Sequence, residues 1–224
     1  MDIDIFFLSH LNGSNSLFVD RLMLILTNGF TWIGLYVALV ILVIKNNKTV
    51  SQIILICTCI FACIVFSGIL NDFVFKPMFH RLRPINNLEF VGMVKEVEGC
   101  YEKSFSFFSS HSANTVSIAV FFSLLTRSRL LLISLMSWAF TNAYTRLYLG
   151  VHWFSDVVAG LLWGILIGMI VYYAYYRIFY RISPHAKYVS SQYTSTGYSY
   201  NDIHLVISAL MFTLAYCIIR AVHI

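Results

Sequence analysis

A histidine and an aspartate four positions apart, His152 and Asp156, are the residues of this sequence best suited to nucleophilic chemistry. On a helix this spacing places both side chains on one face, where the carboxylate can accept a hydrogen bond from one ring nitrogen. The other nitrogen then directs its lone pair outward, as in a nucleophile or base supported by a carboxylate. A surface ion pair has the same spacing and contributes little. Because this pair borders a long apolar segment, where ionisable residues are usually functional, the pattern favours a site.

Three basic residues are candidates for binding an anion beside this pair. Lys76 and Arg83 lie in the segment KPMFHRLRP, and Arg146 ends a later apolar run. Pro77 disfavours helical geometry at Lys76, which predicts that the preceding helix breaks there, and Pro84 has the same effect on Arg83. Snorkelling at a membrane interface accounts for a lone lysine. Lysine and arginine together also suit the oxygens of a phosphate.

Ser109, Ser110 and His111 stand directly before another apolar run. A serine is a good N-cap, which accounts for one serine but not for the histidine. The start of a helix also presents free N–H groups and the positive end of its dipole, which together bind anions. The His–Asp pair with Arg146, the segment with Lys76 and Arg83, and the Ser-Ser-His segment form three polar clusters. Together they supply the cations that hold a phosphate and two histidines that can divide nucleophile and acid roles.

The rest of the chain indicates a membrane protein. Of its 224 residues, 59% are hydrophobic and 11% are charged, whereas soluble domains carry about 25% charged residues. Apolar runs close to the length of about 20 residues that crosses a bilayer occupy 22–44, 51–75, 130–149, 157–178 and 205–222, with 109–126 as a shorter sixth. Helices are expected because a spanning helix satisfies its own backbone hydrogen bonds.

The predicted fold is all-α: a polytopic membrane protein with a six-transmembrane-helix bundle, in a single domain that covers residues 1–224. Residues 3–11 are apolar but short, and we expect a short N-terminal helix at the interface. Residues 183–201 are rich in Ser and Tyr without periodicity, which predicts a loop. The five cysteines form no C-x-x-C pair, so neither a metal nor a redox role is expected.

The placement of basic residues predicts the orientation and argues against nucleic acid as a partner, although the net charge is +5. Basic residues without accompanying acids follow the first, third and fifth predicted spans: Lys45, Lys48, Arg127, Arg129, Arg177, Arg181 and Lys187. By the positive-inside rule these connections are cytoplasmic. If the spans alternate, the three polar clusters share the outer end of the bundle.

At these clusters the sequence resembles the type 2 phosphatidic-acid phosphatase superfamily, whose motifs are K-x6-R-P, P-S-G-H and S-R-x5-H-x3-D. The matching stretches are Lys76-x6-Arg83-Pro84, Phe108-Ser109-Ser110-His111 and Thr145-Arg146-x5-His152-x3-Asp156. They occur in this order over a core of about residues 70–160. Phe108, Ser110 and Thr145 depart from the Pro, Gly and Ser of the family. Thr145 keeps a hydroxyl, and Ser110 is expected to fit if its φ is negative.

The resemblance implies a metal-independent phosphatase without a cofactor. His152 would attack phosphorus and form a phosphohistidine, Asp156 would orient it, and His111 would protonate the leaving oxygen and later activate water. Phosphoryl oxygens would be bound by Lys76, Arg83, Arg146, Ser109 and a backbone N–H of Ser110 or His111. The cations would supply the charge stabilisation that a metal gives elsewhere.

The expected function is hydrolysis of a lipid phosphate among the membrane lipids of a bacterial inner membrane, at the periplasmic face. Undecaprenyl pyrophosphate and a lipid A phosphate are the favoured substrates because the site is external, and phosphatidylglycerol phosphate is a third candidate. A phosphotransferase of the same superfamily would form the same phosphohistidine and pass the phosphate to another lipid. A transporter would spread polar residues through several spans, whereas here they cluster at one end. Vanadium haloperoxidases share the superfamily core but are soluble.

Overall fold

The computed structural model describes residues 2–90, 92–100, 102–182 and 191–223. The α-helices are α1 (Asp2–Leu11), α2 (Leu17–Thr27), α3 (Ile33–Asn46), α4 (Val50–Ile64), α5 (Lys76–Phe79), α6 (Ser110–Thr126), α7 (Arg129–Tyr148), α8 (Phe154–Ile182) and α9 (Tyr200–His223). Two π-helical turns, Val65–Ile69 and Asn71–Phe75, join α4 to α5, and 3₁₀ turns cover Gly29–Trp32, Pro84–Asn86 and Leu88–Phe90. The described residues contain no β-strand, which confirms the all-α prediction.

Among the described residues, four helices are long and apolar enough to cross a bilayer, and they confirm a multi-pass membrane protein. These candidate spans are Gly29–Asn46, Val50–Phe79, Phe154–Arg181 and Tyr200–His223. The predicted count of six stays a prediction, because α6 has only 17 residues and α7 carries arginines and several polar side chains. A short helix forms at the N-terminus as predicted, and its place at the interface likewise stays a prediction.

The prediction that the first span begins at residue 22 is wrong. α2 ends at Thr27, and Asn28 has an extended backbone. The Asn28 side chain accepts a hydrogen bond from the Phe30 N–H at 3.0 Å, which caps the 3₁₀ turn that leads into α3. Asn and Gly are both turn residues, so the pair at 28–29 interrupts a hydrophobic run that looked continuous.

The predicted break at Lys76 is also wrong. Lys76 has helical dihedral angles, φ −59° and ψ −48°, and the second long helix continues through Val50–Phe79. The π-helical turns ahead of Pro77 are wider than α-helical ones and accommodate a residue that lacks an N–H. The helix ends instead at His80, whose φ of 48° lies in the left-handed region.

The central helix is α6, most of whose side chains are buried, and α8 packs against it along a row of glycines. An added Cβ would lie 2.6 Å from the Ser109 carbonyl oxygen at Gly160 and 2.3 Å from the Ala113 carbonyl oxygen at Gly164. Small residues at four-residue spacing let membrane helices approach closely. This contact fixes the start of α6 against the first turns of α8.

The two ends of the bundle have different chemistry. Lys45 pairs with Asp202, and the Thr196 hydroxyl donates to the Thr126 carbonyl at 2.9 Å. The ends of α3 and α6 therefore meet the start of α9 at one end, where the described basic connections also lie. Lys187 and the part of the predicted loop at 183–190 lie outside the described residues. At the opposite end, α5 and α7 finish where α6 and α8 begin.

Candidate active site

Six of the predicted site residues line one cavity of about 520 Å³ at this second end. They come from α5, the loop after it, the start of α6, the end of α7 and the turn before α8. They are Lys76, Arg83, Ser110, His111, Arg146 and His152. Asp156 lies behind His152, and Ser109 is buried in the cap of α6. The fold therefore brings the three separated motifs together.

The Nε2 atom of His152 faces Arg83. The Nη1 atom of Arg83 is 3.2 Å from Nε2 and also donates to the Val151 carbonyl at 2.8 Å. A guanidinium has donors only, so this contact requires a lone pair on Nε2. The ring proton is then on Nδ1, and the lone pair of Nε2 faces the cationic wall of the cavity.

Asp156 stands on the other side of the His152 ring. Its Oδ2 is 3.6 Å from Nδ1, which is longer than a hydrogen bond, and Nδ1 has no other hydrogen-bond partner in the described chain. The same Oδ2 accepts from the Trp153 N–H at 3.0 Å. His152 precedes the first residue of α8, so the pair is brought together by a turn rather than by one helix face as the spacing predicted.

The surroundings of His152 keep its imidazole neutral. Burial lowers the pKa of His152 well below its usual value, and the positive charges of Arg146, Arg83 and Lys76 lower it further. The ring is therefore uncharged near pH 7 and retains the lone pair that a nucleophile needs.

Lys76 and Ser110 form one polar wall of the cavity. Lys76 Nζ is 2.7 Å from Asp72 Oδ1, which also accepts from the Ser110 hydroxyl at 2.7 Å. The Ser110 oxygen in turn accepts from Asn71 Nδ2 at 2.8 Å. These contacts join the end of the second long helix to the first turn of α6 and hold both residues at the cavity.

The fold accommodates the two departures from the family motif that precede His111. Ser110 is the first residue of α6, and its φ is not positive. A serine therefore fits where the family has glycine. Phe108 is buried, and its ring centroid lies 5.5 Å from that of Phe75 and 5.9 Å from that of Trp163. Its carbonyl accepts from Asn71 Nδ2 at 2.6 Å. The loop is thus held by packing and by one buried amide.

Ser109 caps α6 and does not line the cavity. Its Oγ accepts from the Ser112 N–H at 3.4 Å and lies 2.9 Å from the Ser112 hydroxyl. Its backbone N–H donates to the Asp156 carbonyl at 3.1 Å. The structure places Ser109 where it holds the start of α6 against α8, and contact of its hydroxyl with a phosphate stays a prediction.

His111 lies at the boundary between two cavities. It lines the cavity that contains His152 and a neighbouring cavity of about 460 Å³. Its ring makes no hydrogen bond to the described residues, so both ring nitrogens are available to a substrate or a water molecule. This is the placement that a general acid needs.

A carboxylate already occupies part of the cationic wall. Glu102 Oε1 accepts from Arg146 Nη2 at 3.0 Å, and Glu102 Oε2 is 3.5 Å from Arg83 Nη2. Burial acts to raise the pKa of Glu102, but Arg146 and Arg83 outweigh it and lower the pKa, so Glu102 is ionised near pH 7. Sequence reasoning missed Glu102 because it lies between the motifs, in a connection where charges are ordinarily solvated.

Glu102→Gln is expected to tighten the binding of inorganic phosphate by about tenfold. A phosphate has to compete with the Glu102 carboxylate for Arg83 and Arg146, and glutamine removes the competing charge. The measurement is the inhibition constant of inorganic phosphate in a phosphatase assay. Glu98→Gln, an exposed carboxylate in the same loop without an ion pair to either arginine, should leave the constant unchanged. Weaker phosphate inhibition in Glu102→Gln would show that Glu102 supports the anion site.

Arg81 is the other residue that sequence reasoning passed over. Its Nη1 donates to Asp156 Oδ1 at 2.5 Å. Arg81 falls among the unspecified positions between Lys76 and Arg83, so the motif itself gives no signal for it. The available signal was an additional cation in a segment where two cations were already expected at the site.

Two histidines and three cations meet at one cavity of an α-helical membrane protein, an arrangement suited to an integral-membrane phosphatase, which is a hydrolase. The family model of the PAP2 superfamily matches residues 52–180, and the chain belongs to this superfamily. The resemblance seen in the three motifs is thereby confirmed.

Two relatives are lipid A 4'-phosphatases. The protein of Bacteroides thetaiotaomicron is 35% identical over 162 residues, which cover 72% of this chain and 72% of the relative. The protein of Porphyromonas gingivalis is 27% identical over 151 residues, which cover 67% of this chain and 64% of the relative. No solved structure matches the chain.

Proposed function

We propose that this protein hydrolyses a phosphomonoester of a membrane lipid, with the 4'-phosphate of lipid A as the favoured substrate. The observation that carries the proposal is the neutral His152, whose Nε2 lone pair lies in one cavity with Lys76, Arg83 and Arg146. The preference for lipid A is supported by the names of the two relatives.

In the proposed first step, Nε2 of His152 attacks phosphorus while the bond from phosphorus to the lipid oxygen breaks. The three cations hold the phosphoryl oxygens and stabilise the charge that develops on them. His111, which the negative charge of the bound phosphate holds in its protonated form, gives its ring proton to the leaving oxygen. Asp156 attracts the Nδ1–H as positive charge develops on the His152 ring, and the step ends with phosphorylated His152 and a free lipid hydroxyl.

In the proposed second step, a water molecule gives a proton to His111 while its oxygen attacks phosphorus. The bond between phosphorus and Nε2 breaks, and the electron pair returns to the nitrogen. Inorganic phosphate and neutral His152 are the products, and His111 is again protonated for the next cycle. Each histidine is thereby restored without a metal or a cofactor in the scheme.

The surroundings of the cavity support a lipid as the substrate. Met78, Phe79 and Leu82 are exposed apolar residues next to Lys76 and Arg83. Acyl chains can contact these side chains while the phosphate enters the polar cavity. Undecaprenyl pyrophosphate and phosphatidylglycerol phosphate fit the same description and remain the alternative substrates.

The proposed location is the bacterial inner membrane, with the cavity open to the periplasm. Support comes from the basic connections after α3 and α6 and from Arg181 in the last turn of α8, which lie at the opposite end of the bundle from the cavity. Such connections face the cytoplasm under the positive-inside rule.

A substrate panel tests the proposed function. We expect the purified protein to release phosphate from bis-phosphorylated lipid A with a higher kcat/KM than from undecaprenyl pyrophosphate or phosphatidylglycerol phosphate. Fragmentation mass spectrometry of the lipid A product should show that the 4'-phosphate is lost. If phosphate is released from undecaprenyl pyrophosphate alone, that lipid is the substrate instead of lipid A. If phosphate is transferred to an added lipid and no free phosphate appears, the protein is a transferase instead of a hydrolase.

A further inference from the structure

Asp4 of α1 is buried and is joined to Asp156 through Arg81. Arg81 Nη2 is 2.6 Å from Asp4 Oδ2, and Arg81 Nη1 is 2.5 Å from Asp156 Oδ1. We propose that Asp4 and Arg81 are positioning residues for the reaction, which set the location of the carboxylate behind His152. This inference rests on the proposed role of His152 as the nucleophile.

Arg81 is the ionic partner of Asp156. Asp156 is fully buried, and a buried carboxylate requires a cation or several donors. Arg81 and the Trp153 N–H supply them, each to a different oxygen. Only Oδ2 faces the Nδ1 of His152, at 3.6 Å. Arg81 fixes Oδ1 and the Trp153 N–H fixes Oδ2, so the orientation of the guanidinium is one of two contacts that determine how closely Oδ2 approaches the ring.

The guanidinium of Arg81 is held in one orientation by contacts on several sides. Its Nη1 also donates to the Ser155 hydroxyl at 2.8 Å, and its central carbon lies 5.3 Å from the centroid of the Trp153 ring. Asp4 holds the second terminal nitrogen. Without Asp4, both terminal nitrogens can turn to Asp156 in the bidentate geometry that arginine favours. That geometry engages Oδ2 and draws it away from His152.

Asp4 is itself built into the start of α8. Its Oδ1 accepts from the Ser155 N–H at 2.7 Å and its Oδ2 from the Ser155 hydroxyl at 2.8 Å. Burial acts to raise the pKa of Asp4, but the hydrogen bonds from Ser155 and Arg81 outweigh it and lower the pKa. Packing already attaches α1 to α8, because Phe7 stacks on Phe154 with ring centroids 3.8 Å apart. The packing of α1 on α8 therefore does not require a charged side chain at Asp4.

Asp4 and Arg81 act on the charge of His152 in opposite directions. A cation near the ring disfavours the imidazolium form, and an anion favours it. The charged and titratable side chains that face the ring region from other elements are Asp72, Lys76, Arg83, Glu102, His111, Arg146 and Asp156. Variants of Asp4 and Arg81 keep all of these, so a shift in the pH profile reports the two positioning residues.

The test is the pH dependence of kcat/KM for detergent-purified full-length protein, with bis-phosphorylated lipid A in mixed micelles as the probe. Asp4→Asn is expected to lower kcat about tenfold with little change in KM. It should also shift the acidic limb of the profile, the fall in kcat/KM at low pH, to a pH lower by about half a unit. The limb moves lower because one anion is lost. Arg81→Gln is expected to move the same limb higher, because one cation is lost.

Two control variants separate positioning from folding. Phe7→Leu weakens the packing of α1 but leaves the polar network, so it should lower the unfolding temperature without moving the limb. Glu89→Gln removes an exposed carboxylate that lines a small cavity together with Asp4 and Arg81, and it should move neither quantity. If Asp4→Asn does not fold, Arg81→Lys takes its place. Lysine keeps the positive charge but lacks the planar guanidinium with two terminal nitrogens, so kcat should fall while the acidic limb of the pH profile stays at the wild-type pH.

Opposite shifts of the limb in Asp4→Asn and Arg81→Gln support the proposal. A wild-type kcat in Asp4→Asn overturns it, and so does a fall in kcat in both variants without any movement of the limb. In the replacement experiment, a wild-type kcat in Arg81→Lys overturns it. Wild-type protein that releases no phosphate from lipid A contradicts the proposed function instead, so the two failures are distinguishable.

Discussion

Replacement of His152 by alanine is expected to reduce phosphate release on the order of 10⁴-fold or more, the scale on which hydrolases lose activity without their covalent nucleophile. The Nε2 lone pair that faces Arg83 at 3.2 Å is lost, and alanine offers no substitute. The measurement is the initial rate of inorganic phosphate release from lipid A by purified protein.

His204→Ala is the matched control for this variant. His204 is exposed on α9, near the end of the bundle opposite the cavity, and its replacement should leave the rate unchanged. Thermal unfolding of both variants shows whether each is folded. A folded His152→Ala protein that keeps more than a few per cent of the activity would contradict the assignment of the nucleophile.

Arg83→Lys is expected to lower kcat by about 10²- to 10³-fold although the charge is kept. Arg83 Nε donates to the Ser104 carbonyl at 2.7 Å and Nη2 to the Ser104 hydroxyl at 2.9 Å. Its Nη1 contacts the Val151 carbonyl and His152 Nε2. A lysine ammonium has a single donor centre and cannot hold the loop, the ring and a phosphate at once. Steady-state kcat and KM for lipid A measure the effect.

Arg177→Lys makes the same change of side chain at an exposed position near the far end of α8 and should have wild-type kinetics. A wild-type kcat in Arg83→Lys would mean that a positive charge alone is sufficient at residue 83. The role of the guanidinium fork in orienting His152 would then be incorrect.

The meeting of Lys76, Arg83, Arg146 and His152 at one cavity was predictable from the sequence. Helices that cross a membrane alternate in direction, so polar residues at every second connection share one end of a bundle. The row of glycines in α8, at four-residue spacing, was also a readable signal for close packing against α6. The alternation of helices is a matter of topology and the glycine spacing is a periodic pattern, so both can be recognised without knowing how the loops fold.

The starts and ends of individual helices were less predictable. The caps at Asn28 and His80 depend on single side-chain and backbone geometries that hydropathy does not register. Pro77 fits within the long helix because π-helical turns precede it, and nothing in the local sequence predicts those turns.

Contacts made by residues outside the three motifs were not predictable. Glu102 reaches Arg83 and Arg146 only because its connection folds over the cavity, and charges in such loops are ordinarily solvated. Asp4 reaches Arg81 because α1 packs on α8. Sequence spacing carries no information on either contact.

The most direct test of the central claim is whether phosphate becomes covalently attached to His152 during turnover. Protein mixed with lipid A labelled in the 4'-phosphate is quenched in base within the first turnover and digested for mass spectrometry. We predict an acid-labile, base-stable phosphate on the peptide that contains His152, absent from His152→Ala and longer-lived in His111→Asn, which lacks the group that activates water. Phosphate release at the full rate with no label on His152, or with the label on another residue, would contradict the account.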